Sequence, residues 1–308
     1  MENTRAKTTR NSLILLLTAT IWGMAFVSQS KGMDYMHPFT FNGVRSLIGA
    51  TGILVYILIS RKIAGDKAAK LDWKLNVRAG LLCGIFLTIA STLQQFGIKY
   101  TSVGKAGFIT TLYIIFVPMF GIFLKKKVAP VVWAAAGMAA VGMYLLCMTE
   151  SLRLGAGDIM VFLCAIAFAI QIMTVDHYAA RIDGAVVSCI QFTVCGVVCC
   201  IGALIWGQPT FGQIQEGLGA LLYAGVLSCG VGYTLQIVGQ KGLNPTVAAL
   251  IMSLESVIAT ISGWIAYKIG FLSTDQTLTP RQIAGCVIVF AAVILVQLPP
   301  EWFRFGKK

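Results

Sequence analysis

Residues 93–112 read LQQFGIKYTSVGKAGFITTL, and 142 positions later residues 235–254 read LQIVGQKGLNPTVAALIMSL. Seven of the twenty aligned positions are identical: Leu93/Leu235, Gln94/Gln236, Gly97/Gly239, Lys99/Lys241, Ala106/Ala248, Ile109/Ile251 and Leu112/Leu254. The same offset lays Ala25, Phe26 and Gln29 over Ala167, Phe168 and Gln171. One shift that serves two separate regions is the mark of an internal repeat. The chain accordingly divides into a first half, 1–150, and a second, 151–308.

Composition names the solvent in which these halves fold. Of 308 residues, 57% are apolar and 12% charged, with a mean hydropathy of +0.81. Soluble domains are about 25% charged, so a water-soluble globule of this size would lack the polar surface to cover itself. A cytosolic enzyme, a disordered chain and a nucleic-acid-binding domain are thereby excluded, and the bilayer becomes the first partner. A helix needs about 20 apolar residues to cross the hydrocarbon core. Ten such stretches are expected: 12–31, 38–60, 79–98, 104–124, 130–148, 158–176, 185–206, 218–239, 245–267 and 281–298. They lack the strict alternation of a membrane β-barrel strand. The first is too long for a signal-peptide core and has no clear cleavage site, so it is read as retained.

The basic residues orient these spans. With a cytoplasmic N-terminus, seventeen Lys and Arg fall inside: Arg5, Lys7, Arg10, the six within 61–78, Lys125 to Lys127, Arg181, Lys241, Arg304, Lys307 and Lys308. Six fall outside, and Arg45 lies within a span. Over short loops this asymmetry places both termini in the cytoplasm. Five spans per half is an odd number, so the second half sits upside down relative to the first. Inverted repeats of this kind characterise secondary transporters, in which the two halves exchange conformations to exchange access.

On these residues the chain resembles the drug/metabolite transporter superfamily, of the ten-helix type with two EamA-like repeats. The likeness rests on Trp22-Gly23-Met24-Ala25-Phe26, on Arg45 early in helix two and on Ile98-Lys99-Tyr100-Thr101-Ser102 with Pro118 beyond it. In the second half it rests on Asn244 to Leu250 followed by Ser253-Leu254-Glu255-Ser256-Val257. Ser256 stands where the family usually has proline, which puts a kink in helix nine in question. The resemblance implies a central cavity and alternating access, with cargo among amino-acid-like, nucleotide-related or drug-like metabolites and export as the favoured direction. It also implies a multi-pass protein of the plasma (inner) membrane. The other readings are an importer of the same fold, an integral-membrane enzyme or lipid-handling protein, and a channel. The enzyme would need polar residues clustered at one face, and the channel a continuous polar stripe; neither pattern is visible.

Within the spans, Glu255 is the acid nearest a midpoint. A carboxylate there is costly unless paired, hydrated or protonated, so it marks a substrate or proton site by default. Low-dielectric surroundings favour the neutral form of a carboxylic acid, as proton coupling requires. Binding a cationic amine, or accepting structural hydrogen bonds, are the alternatives. Its repeat partner is Tyr113. Arg45, about 10 Å below the outer surface at 1.5 Å per residue, is expected to snorkel outward or bind helix carbonyls; binding an anionic substrate is the sharper alternative. Gln29, Gln94, Gln171 and Gln236 form a symmetric set of amides that must face protein or a wet cavity. The expected binding residues are therefore Trp22, Phe26, Gln94, Tyr113, Gln171, Tyr233, Gln236 and Glu255, with Glu255 the proton-coupling candidate. Trp73, Trp206 and Trp302 read as interface anchors, and Asp158 and Asp176 as watered helix ends.

No catalytic set, metal site or cofactor is expected. His37 and His177 stand on separate loops, and no phosphate-cradling motif points to ATP. Cys195 and Cys199 share a helix face with Cys200 nearby, but without His or carboxylate they read as small packed hydrophobes. The expected partners are a small-molecule substrate, the bilayer and protons, with no nucleic acid.

Overall fold

The computed structural model describes residues 2–65, 71–101, 103–124, 130–147, 155–272 and 277–297. All regular structure among them is helical. Helix α1 (Glu2–Gly32), α2 (Pro38–Ala64) and α3 (Trp73–Tyr100) are continuous, followed by the pair α4 (Val103–Thr111) and α5 (Tyr113–Phe123) and by α6 (Pro130–Cys147). The second half brings α7 (Ala156–Tyr178) and α8 (Gly184–Gly202), which ends in a wide π turn, Ala203–Gly207. After the short surface helix α9 (Phe211–Glu216), α10 (Leu218–Leu222) and α11 (Tyr233–Gln240) are joined through a π-helical stretch, Tyr223–Gly232. The chain continues with the pair α12 (Pro245–Met252) and α13 (Leu254–Lys268) and with α14 (Pro280–Gln297).

Eight helical segments are long and apolar enough to cross a membrane, and two more apolar helices, Pro130–Gly142 and Pro280–Leu295, are shorter. The eight fall on eight of the ten expected stretches; at the expected fifth and tenth, 130–148 and 281–298, the apolar helices are shorter than a span needs. Their starts are written in the sequence. His37, Asp72, Asp183, Thr210 and Asn244 accept hydrogen bonds from the first-turn amides of the helices they precede. Such caps are each worth about 1 kcal/mol. Pro38 and Pro245 take first-turn positions, where no amide is missed.

Packing is exchanged between the halves. Helix α1 lies against α13 and α11, and α7 lies against α3 and α5. Helices α2 and α8 pack on each other, as do α6 and α14. Individual contacts recur at the 142-residue offset. A Cβ added to Gly97 of α3 would lie 2.9 Å from the Gly157 carbonyl of α7; one added to Gly239 of α11 would lie 2.7 Å from Leu15 of α1. Glycine is what allows both close approaches.

The expected fourth and ninth spans are each interrupted for one residue, at Leu112 and at Ser253. Those places lie within one residue of each other under the repeat. Around the second break the Ser253 hydroxyl donates to the Leu250 carbonyl at 2.7 Å and the Ser256 hydroxyl to the Ser253 carbonyl at 2.8 Å. Back-bonding hydroxyls of this kind bend helices. The interruption thus persists although Ser256 replaces the expected proline. In the first half Thr111 bonds back to the Phe108 carbonyl at 2.9 Å, and Pro118 follows within α5.

Trp73 and Trp206 are 59% and 64% exposed, as interface anchors would be. Lys125 to Lys127, Cys147 with respect to its side chain, and Trp302 lie outside what is described. The eight described cysteines are free. Cys195 and Cys199 are buried, Cys195 against the hydroxyls of Ser46 and Ser91 and Cys199 against that of Thr92.

Candidate functional site

Thr110 and Tyr113 beside the first helix break, and Glu255 just after the second, line one cavity of about 40 Å³, together with residues of α1, α2, α3, α7, α8, α11 and the π stretch Tyr223–Gly232. At roughly 10–15 Å³ per water centre it has room for a few waters and no metabolite. In this conformation the cavity is too small to hold a cargo. All eight residues expected to bind substrate line this cavity.

The repeat-related pair is part of its lining. The Tyr113 hydroxyl donates to Glu255 Oε1 at 3.1 Å, across a sequence separation equal to the repeat offset. Each residue stands in the first turn after a helix break, Tyr113 opening α5 and Glu255 second in α13. Both are buried, at 2% and 4% exposure. Discontinuous helices that bring polar groups to mid-membrane are the usual construction of a transport site.

The amides form the second layer. Gln236 Nε2 donates to Gln171 Oε1 at 3.3 Å, and Gln171 Nε2 to Gln191 Oε1 at 3.5 Å. In the other half, Gln94 Nε2 donates to the Thr110 hydroxyl at 3.2 Å, and Gln95 Nε2 to the Gln29 carbonyl at 3.2 Å. Gln29 and Gln236 each retain a buried side-chain oxygen with no partner, and both line the cavity. The symmetric set is thus asymmetric in its bonding.

One wall is aromatic. Trp22 and Tyr233 approach to 4.5 Å between ring centroids, and Phe192 meets Tyr233 edge-on at 5.0 Å. Phe26 and Phe168, equivalent under the repeat, line it too. Trp22 Nε1 donates to the Ser228 carbonyl at 3.4 Å, tying α1 to the π stretch. A π-helical turn widens the backbone at functional sites elsewhere, and here it presents Ser228 and Cys229 to the cavity.

Two expectations are corrected. Arg45 neither snorkels nor binds helix carbonyls: it is 5% exposed, lines the cavity, and its Nε has no hydrogen-bond partner. The Phe41 ring lies 5.4 Å from its guanidinium carbon and holds it inward. Asp158 is not watered. It is 3% exposed and accepts from Lys105 at 2.6 Å, from Thr101 at 2.9 Å and from the Gly155 amide at 2.8 Å. That cluster ties the start of α7 to the start of α4, away from the cavity. Arg45 was expected to bind an anion only as the alternative, and Ser91, Phe192 and Ser228 are among the lining residues outside the expected set. Ser91 was recoverable, since it sits three residues before Gln94 and so on the same helix face.

No cluster of three potential metal ligands occurs among the described residues. The EamA-like transporter family model matches the chain twice, over residues 10–148 and 155–298. An uncharacterized transporter of Archaeoglobus fulgidus is 27% identical over 290 residues, covering 92% of this chain and 84% of its own. The uncharacterized transporter YwfM of Bacillus subtilis is 24% identical over 295 residues, covering 94% of each. A crystal structure at 16% identity superposes with a TM-score of 0.74 over 96% of this chain and 99% of the other, which bears on the fold alone.

Proposed function

The chain belongs to the EamA-like transporter family, and on that premise we propose that it is a secondary transporter carrying a small metabolite across the plasma membrane by alternating access through the cavity at Tyr113 and Glu255. The observation that carries the reading is the contact between those two residues, equivalent in the two repeats and joined at 3.1 Å. Two equivalent half-sites that meet in one cavity are what an exchange of conformations between inverted halves requires. The ten helical bodies then serve as ten spans, divided at 150/151, with both termini in the cytoplasm on the strength of the positive-inside count.

Opening to one side would separate one set of cross-half contacts, such as Gly97 with Gly157; opening to the other would separate the equivalent set, Gly239 with Leu15. The two closures are not equal. The Lys105–Asp158 ion pair stands at one end, whereas the repeat-equivalent positions hold Val247 and Leu16. Inside, the unpartnered oxygens of Gln29 and Gln236 offer acceptors to an amino-acid-like, nucleotide-related or drug-like cargo, and the aromatic wall takes its apolar part. Glu255 is the proton carrier, with Tyr113 holding its carboxyl group. Export as the direction of flow rests on the family likeness alone.

The test is uptake of a mixed metabolite pool into proteoliposomes, with and without an imposed pH gradient, for the native chain and Glu255→Gln. Gradient-driven accumulation that the variant loses supports the reading. Movement that ignores the gradient and survives the substitution removes Glu255 from the mechanism, and no movement by folded native protein removes transport.

A further inference from the structure

Two formal charges face the cavity, Glu255 and Arg45, and they stand on different helices, α13 and α2. Glu255 has the Tyr113 hydroxyl. Arg45 has nothing comparable. Among the described residues the ion pairs are Lys31–Asp34 and Lys105–Asp158, so no carboxylate lies within bonding distance of the guanidinium. Its Nε is buried and unpartnered. The contact the structure gives it is the face of Phe41, which steadies a cation without neutralising it.

A guanidinium stays protonated under all physiological conditions and presents five N–H donors in a planar fork. Holding that fork in low dielectric without a counter-charge is strongly unfavourable. A purely structural arginine would spend its donors on helix carbonyls or a neighbouring acid, and this one does not. Arg45 also borders the same space as the aromatic wall, because Trp22, Phe192 and Tyr233 line the same cavity. The missing partner is therefore something that enters the cavity.

We propose that Arg45 is an anion subsite, and that the cargo carries a carboxylate or a similar planar oxyanion which the guanidinium grips at one end of the cavity while the aromatic wall holds the body. The inference rests on the transport reading for the word cargo, but the binding it describes is measurable without transport. It sets the substrate class apart from permanently cationic drugs, which Arg45 would repel.

Benzoate, benzamide and benzylamine share one ring and differ in charge, so they isolate the subsite. The full-length chain in nanodiscs is titrated with each, and affinity is read from the concentration dependence of the thermal unfolding midpoint. Charge-assisted fork pairing is among the strong hydrogen bonds, so benzoate is expected to bind at least about tenfold tighter than benzamide, with benzylamine weakest. Arg45→Gln should bring benzoate down to the level of benzamide. Arg45→Lys, which keeps the charge and loses the fork, should fall between, and it carries the test if the glutamine variant does not fold. Benzamide or benzylamine binding as well as benzoate, no response to benzoate, or a preference that survives Arg45→Gln would overturn the proposal. A native chain that binds benzoate selectively but moves no solute would keep the subsite and refute the transport reading; transport with no preference for anions would do the reverse.

Discussion

Tyr113→Phe is the smallest change that reaches the lining of the cavity. The ring and its packing stay, and one hydroxyl is removed from 3.1 Å of Glu255 Oε1. Tyr113 is 2% exposed and Glu255 4%, so bulk water does not readily replace the lost donor. A net hydrogen bond between neutral groups is worth about 0.5–1.5 kcal/mol, and one to a charged group about 1.5–3 kcal/mol. Glu255→Gln keeps the shape and an acceptor oxygen while removing the charge. If the pair acts as a unit, the two substitutions should not add. A double-mutant cycle over native, Tyr113→Phe, Glu255→Gln and the double variant should therefore give a coupling of about 1–3 kcal/mol. The readout is reversible unfolding in mixed micelles, with initial transport rates in proteoliposomes beside it. In rates, the same coupling means the double variant is about as slow as the worse single one. Additivity within about 0.5 kcal/mol in both readouts would refute the claim that Tyr113 and Glu255 work together.

Three other outcomes follow from local geometry. Lys105→Met removes the cation beside a carboxylate that is 3% exposed but keeps its bonds from Thr101 and the Gly155 amide, so unfolding should be easier by about 1–3 kcal/mol; Asp158→Asn in the same chain should restore part of the loss. Gly49→Val places methyls where even a Cβ would stand 2.7 Å from Cys229 and 2.9 Å from the Gly225 carbonyl, so α2 must shift, costing about 1–3 kcal/mol or more in unfolding assays. His37, at the α2 cap, is held below the ordinary imidazole value of 6.5, mainly by burial and secondarily by Lys99. The unfolded chain therefore takes up its proton first, and this group's contribution to stability is present above about pH 6.5 and is lost as pH falls below it. His37→Gln should flatten that part of the pH–stability curve.

Much of the architecture was legible because the bilayer imposes simple demands. Apolar runs near 20 residues, caps such as Asn244-Pro245 and the repeat offset are enough to place the helical bodies. The pairing of Tyr113 with Glu255 was legible for the same reason: two residues at equivalent mid-span positions of equivalent helices must approach the same axis. What escaped depended on tertiary contact. Arg45 looks from sequence like a residue within reach of the surface, and only the packing of α2 on α8 and the π stretch turns it inward. Asp158 reads as a solvated helix start until Lys105, 53 positions earlier, folds over it. The break at Ser253 was tied in sequence to a proline that is absent, and hydroxyl back-bonding supplies the bend instead. The π stretch has no sequence signature here, since residues 81–90 at the equivalent place in α3 stay α-helical.

The central claim is that one cavity is reached in turn from both sides of the membrane. Ser228 lines that cavity. A Ser228→Cys chain with its native cysteines replaced, reconstituted in one known orientation, can be challenged with a small membrane-impermeant thiol reagent from either side. The account predicts labelling from both sides, each slowed by cargo and by reagent conditions that hold the opposite side open. Labelling from one side only, or from neither in folded and transport-active protein, would contradict it.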